Sequence, residues 1–206
     1  GLLELYKITK NPDYLKAVEA TVRNIIDEEI NIAGSGSAFE CFYHGKRLQT
    51  DPAYHTMETC VTMTWMKLCQ NLLDLTKNPL YADQIEKTTY NALLAALKED
   101  AGQIAKYSPL EGVRSAGEHQ CGMHVNCCNS NGPRAFAMIP TAAVLSSNDS
   151  LFVNLYGPST TKASLGKNEI SLEQTTAYPE DGDIEIAVNA PRNLEFAVAV
   201  RIPAWS

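Results

Sequence analysis

Apolar positions recur at three and four residues along the first part of the chain. Tyr14, Leu15, Val18, Val22, Ile25 and Ile26 fall on one such stripe, and Tyr81, Ile85, Leu93 and Leu94 on another. That spacing predicts amphipathic helices. The two stripes belong to an internal repeat. LYKITKNPDYLKAVEATVRN (5–24) aligns with LLDLTKNPLYADQIEKTTYN (72–91) at an offset of 67 residues, with nine of twenty positions identical, including the run TKNP. Each copy reads as a helix end, an Asn-Pro break and a new helix, since proline is tolerated in a first helical turn. One helical hairpin cannot bury its own apolar face, so the repeat predicts a helical toroid or solenoid.

The period changes near residue 145. LFVNLYG, EISLEQTTAYP, DIEIAVN and EFAVAVRIPAW alternate apolar and polar residues and are separated by Gly, Pro, Asn and Asp. This predicts short strands joined by turns. The expected organisation is mainly α then β: helices over 1–145, and the start of a β-sandwich or related sheet domain over 146–206. Between the two helical copies lies AGSGSAFECFYHGKRLQTDPAYHTME (33–58). It is too long for a simple connection, and such loops are often functional.

Composition narrows the classes. The 206 residues are 45% hydrophobic, enough for a core, and carry a net charge of −7 with a pI near 5.1. No basic footprint for nucleic acid is present, and no apolar run approaches the roughly 18 residues of a membrane span. Gly1 leads directly into a helical pattern and RIPAWS closes on a strand pattern, so both ends read as cut from a longer protein. Compartment and oligomeric state stay open, with cytoplasmic, periplasmic and secreted locations all compatible.

Six cysteines sharpen the chemistry: Cys41, Cys60, Cys69, Cys121, Cys127 and Cys128. Cys69 lies in the apolar helix VTMTWMKLCQNLLDL and reads as a core thiol. Cys127 and Cys128 are adjacent in HVNCCNSNGPR. A bridge between neighbours is strained, because their Cα atoms are about 3.8 Å apart and a relaxed disulfide needs roughly 5.5–6 Å. Buried thiols, metal ligands and a nucleophile remain. Glu58 and Cys60, two apart in METC where the loop enters a helix, complete three thiols and one carboxylate. That set suits a tetrahedral zinc site.

ETC (58–60), YADQIEKTTYN (81–91), KYSPL (106–110), NCC (126–128) with GPR behind it, and VRIPAW (200–205) together resemble the β-L-arabinofuranosidases of glycoside hydrolase family 127. The resemblance implies the last helices of an (α/α)6 barrel followed by part of a β-sandwich domain. It implies Zn2+ held by Glu58, Cys60, Cys127 and Cys128, with Cys127 as nucleophile. The implied partner is an arabinofuranose-containing oligosaccharide or glycan, and the implied reaction is retaining hydrolysis of a terminal pentose. A metal would enforce the thiolate that a free thiol of pKa about 8.5 does not supply at neutral pH, and covalent catalysis in two steps retains configuration.

One family position departs. The acid/base glutamate of a G-E-A-F stretch meets Gly36-Ser37-Ala38-Phe39 here, so Ser37 stands where a proton donor is required. Glu40 is the nearest replacement, with Phe39 and Phe42 expected to shield it. Glu86 matches a sugar-binding glutamate, although Glu19 occupies the same place in the repeat, which also fits a structural role. Tyr107 matches a sugar-contacting tyrosine. His55, His119 and His124 offer ring nitrogens to sugar hydroxyls or to structural hydrogen bonds, and Asn126 and Arg134 can orient the cysteine loop. Trp65 and Trp205 are expected in the core. Two rival readings are a non-catalytic sugar-binding relative with a structural zinc, which the Ser37 departure favours, and an isomerase or lyase on the same barrel.

Overall fold

A computed structural model describes residues 1–52, 55–98, 103–114 and 127–206. Helices α1 (Leu2–Thr9), α2 (Pro12–Asn24), α3 (Gly45–Leu48), α4 (Thr59–Thr76), α5 (Pro79–Thr88) and α6 (Cys127–Ala143) precede all the strands. The strands are β1 (Val144–Ser146), β2 (Ser150–Val153), β3 (Ser159–Leu165), β4 (Asn168–Thr176), β5 (Ile184–Asn189) and β6 (Ala197–Val200). The chain forms two compact units, Gly1–Asn71 with Lys87–Phe136 and Leu72–Glu86 with Ala137–Ser206. No helix among the described residues is long and apolar enough to cross a membrane.

The TKNP repeat is the same local structure twice. The Thr9 hydroxyl donates to the Leu5 carbonyl at 2.8 Å, and the Thr76 hydroxyl donates to Leu72 at 2.7 Å. Lys10 and Lys77 then turn left-handed, at φ 57° and 56°, which ends the helix and satisfies a last-turn carbonyl. The Asn11 and Asn78 side chains each accept a backbone N–H two residues on, at 3.0 Å, capping the next helix with proline in its first turn. Both second helices run into π-helical turns, Ile25–Glu29 and Thr89–Leu93. The periodicity predicts the helices, but it gives no sign of the π turns.

The β unit has two three-stranded sheets, ordered β1-β2-β6 and β3-β4-β5. Leu151 and Val153 from the first meet Leu165, Ile170 and Leu172 from the second in one core. Burying each of these side chains is worth roughly 1.5–3 kcal/mol. Ile170, Leu172 and Gln174 on β4 share the inward face, and Gln174 survives there because its amide donates to the Leu155 carbonyl at 3.3 Å. Strand β3, STTKASL, has only Leu165 fully buried. Its polar sequence explains why the alternation pattern did not mark it.

Arg201, from VRIPAW, ties this unit together. Its guanidinium donates to Asp83 at 2.6 Å, to Glu86 at 2.8 Å and to the Asn154 carbonyl. Tyr156 donates to the Arg201 carbonyl. Trp205 is 57% exposed rather than in the core, with Arg201 over its ring at 5.5 Å. Trp65 is buried as expected.

Candidate active site

The site lies in the first unit. Glu58 directly precedes α4 and Cys60 lies in its first turn, while Cys127 and Cys128 open α6. The carboxylate and three sulfurs lie within 4.8 Å of one another. The Cys60 sulfur is 2.8 Å from that of Cys127 and 3.4 Å from that of Cys128. Glu58 Oε1 is 3.8 Å from the Cys127 sulfur and 3.9 Å from the Cys128 sulfur. Cys128 is fully buried beside Ala96 and Ile104. Cys69, separate from this group, is a buried core thiol.

The crowding shows in the proton affinities of Cys60 and Glu58. The hydrogen bond with Cys128, and then burial, push the Cys60 thiol far up. Burial, and then the Glu40 charge, raise the Glu58 carboxyl, against the pull of Lys106. Three sulfurs and a carboxylate gathered this closely are a donor set suited to a metal ion.

The rest of the cysteine motif supports this cluster through helical spacing. Asn129 Oδ1 accepts the Ile104 N–H at 3.2 Å. Asn131 Nδ2 donates to the Cys60 sulfur at 3.1 Å, and Arg134 donates to Asn131 Oδ1 at 2.9 Å. Arg134 therefore acts through Asn131. A Cβ at Gly132 would meet the Ile104 side chain at 2.8 Å, so glycine permits that close packing. Asn131 was not foreseen, although its i, i+3 relation to both Cys128 and Arg134 is readable once α6 is placed.

A second strip lies against the start of α4. Tyr107 forms an antiparallel bridge with Glu58, and Thr59 donates to Ala105 through its hydroxyl and to Lys106 through its N–H. His55 stacks on Tyr107 with centroids 4.7 Å apart. Burial, the largest influence, raises the Tyr107 hydroxyl. Lys106, which sequence reasoning passed over, places its ammonium 4.9 Å from the Tyr107 ring centre and 3.3 Å from Glu40 Oε1. Burial alone would lower this lysine, but Tyr107, Glu40 and Glu58 outweigh it and raise it.

Glu40 lines one cavity of about 390 Å³ with Glu58, Cys60 and Cys127. Its side chain is 55% exposed. Phe39 and Phe42 are also exposed, so the expected apolar shield is absent and Lys106 is the close neighbour instead. Ser37 is buried, and its hydroxyl accepts the Glu58 N–H at 3.4 Å. The loop is held from behind by Glu29, at the end of the first π turn, whose carboxylate accepts the Tyr43 and His44 N–H groups at 2.9 and 2.8 Å. Phe39, Glu40, His44, Gln49, His55 and Met57 all have left-handed backbones, a strain that tends to cluster at functional segments.

Glu86 belongs to the other unit, where it is buried and engaged by Arg201. Its Oε1 accepts from Arg201 Nη2 at 2.8 Å. His119, Cys121, His124 and Asn126 lie outside the described residues.

The β-L-arabinofuranosidase catalytic-domain model of glycoside hydrolase family 127 matches residues 1–141, and the middle-domain model of the same family matches 150–206. The chain belongs to glycoside hydrolase family 127. A non-reducing end β-L-arabinofuranosidase of Bifidobacterium longum is 26% identical over 200 residues, covering 89% of this chain and 30% of that protein. A family 127 β-L-arabinofuranosidase from Geobacillus stearothermophilus T6 superimposes with a TM-score of 0.85 at 26% identity, over 99% of this chain and 34% of that one. A family 127 β-arabinofuranosidase gives a TM-score of 0.85 at 30% identity, over 99% and 32%. The chain thus spans about a third of the length of the relatives it matches. The helices followed by strands are the end of a helical barrel and part of a β domain.

Proposed function

We propose that this chain is part of a retaining glycoside hydrolase that removes terminal β-L-arabinofuranose or a related pentose from plant-type glycans. The observation carrying this reading is the convergence of Glu58, Cys60, Cys127 and Cys128 within 4.8 Å, in a chain of family 127. Two curated or solved relatives bear the name β-L-arabinofuranosidase, which supports the sugar.

Zn2+ fits the donor set, because thiolates favour it over magnesium or calcium. Glu58, Cys60, Cys127 and Cys128 would hold it, and bound there it would keep the thiols ionised at neutral pH. The Cys127 sulfur, half-buried and lining the cavity, attacks the anomeric carbon. A C–S bond forms and the C–O bond to the aglycone breaks. Glu40, on the same cavity, gives its proton to the departing oxygen and later takes one from water. That water displaces the sulfur, and two inversions leave the configuration retained. Tyr107 and His55 line up beside Glu58 as contacts for sugar hydroxyls. Asn131, set by Arg134, orients the Cys60 sulfur.

The test is the full-length protein with a cysteine-reactive arabinofuranose analogue and intact-mass analysis. Covalent labelling at Cys127 with loss of turnover is the expected result. Labelling of neither cysteine, with no pentose released from any arabinofuranoside, would leave the non-catalytic sugar-binding reading. The buried hydroxyl at Ser37 is the feature that favours that alternative.

A further inference from the structure

Glu40, on the cavity wall, is paired with a charged side chain that the reaction scheme does not use. The Lys106 side chain is only 11% exposed. It faces Glu40 Oε1 at 3.3 Å and the Tyr107 ring at 4.9 Å. Its own backbone is pinned to the cluster: the Lys106 carbonyl accepts the Thr59 N–H at 3.0 Å and lies 3.9 Å from the Cys128 sulfur. Glu40 is the opposite case. It is more than half exposed, in a turn whose backbone is closed by the Cys41 N–H to the Ala38 carbonyl and held by the Phe39 N–H to the His55 carbonyl, both at 3.0 Å. A half-exposed carboxyl is thus tied to a largely buried ammonium.

We infer that Lys106 is the positioning residue for the Glu40 carboxyl, holding Oε1 so that the other oxygen serves the glycosidic bond. This rests on the reading of Glu40 as the proton-transfer group. The physical case is entropic. A half-exposed glutamate loses rotamer freedom when it reaches a reactive geometry, and a pre-formed contact removes that cost before substrate arrives. The buried stem of Lys106 and the adjacent Tyr107 ring limit the ammonium to few positions, so the anchor is itself fixed. An exposed ion pair contributes little to stability; the value of this one lies in direction. It also explains how a glutamate three residues from the family position can reach the site. The loop supplies the carboxyl, and the strip beside α4 supplies its direction.

The test uses the full-length protein, with Lys106→Met, Lys106→Arg, Glu40→Gln and the Lys106→Met/Glu40→Gln pair. Substrates are an arabinofuranosyl disaccharide and an activated aryl arabinofuranoside, and metal content is measured throughout. Lys106→Met should lower kcat on the disaccharide by about tenfold or more, part of the 10²–10⁴ that general acid–base catalysis is worth. KM for the disaccharide should stay within about twofold, and kcat/KM for the aryl substrate, whose leaving group needs no proton, should be spared, while its kcat falls with the second step that uses the same carboxyl as base. Lys106→Arg should recover most of the loss. In the Glu40→Gln background, Lys106→Met should add little, as expected for two groups acting as one unit. Equal losses of kcat/KM on both substrates, a full loss added on top of Glu40→Gln, or a fall in bound metal would overturn the inference and leave Lys106 a structural residue. Glu40→Gln without effect on the disaccharide would instead sink the acid/base reading, and the positioning role with it.

Discussion

The sulfurs of Cys60 and Cys127 lie 2.8 Å apart, although 67 residues separate them in sequence. Two neutral thiols gain little from such an approach, since S–H is a weak donor. A shared cation gains a great deal. The full-length protein should therefore carry about one zinc per chain by elemental analysis. After chelation, Cys60 and Cys127 should react with a thiol reagent that the loaded protein resists. A metal-free preparation with full activity would exclude the site.

Cys127→Ser should abolish turnover while zinc stays bound at reduced affinity. Cys128→Ser should chiefly release metal, because Cys128 is fully buried and Cys127 faces the cavity. Metal content and rate measured together separate the two. The reverse pattern would exchange their roles.

Glu40→Gln should cost about 10²–10⁴-fold in kcat/KM on poor leaving groups and much less in kcat/KM on an activated aryl glycoside. A comparable loss on both would point to the loop's fold rather than to proton transfer.

Arg201→Met should destabilise the protein by about 3–5 kcal/mol, the usual consequence of leaving buried partners of an ion pair uncompensated. Asp83 and Glu86 are those partners. Burial already holds the Glu86 carboxyl above its ordinary range, against Arg201 and Tyr178. An acid whose folded pKa is raised takes up a proton on folding, so its contribution is present at low pH and lost as pH rises through the folded value. Removing the arginine raises it further. The penalty should thus be smallest near pH 4 and larger at pH 7, as measured by denaturant unfolding. A pH-independent penalty would show that lost packing dominates.

Glu29→Ala leaves the Tyr43 and His44 amides without their carboxylate and should cost about 1.5–3 kcal/mol for each charged hydrogen bond that water does not replace. Hydrogen exchange at Tyr43 and His44 should quicken, and the Glu40 loop with it. Unchanged protection of both amides would mean that the loop is held elsewhere.

The sequence by itself determined what local rules can reach. Helical spacing, the doubled TKNP with its asparagine caps, and strand alternation on β2, β4 and β5 each depend on neighbours within a few residues, where side-chain period and capping chemistry act. Donor types named Glu58, Cys60, Cys127 and Cys128 as one group because three thiols and a carboxylate suit one kind of ion. The tertiary structure alone decided the rest. Glu86 turned to Arg201, 115 residues away, and a buried carboxylate takes the cation that the fold brings to it. Lys106 met Glu40 across 66 residues, a pairing that no periodicity encodes. Strand β3 formed from a polar segment because β4 offered it backbone partners from Ser159 to Leu165, and a ladder of hydrogen bonds asks nothing of hydrophobicity.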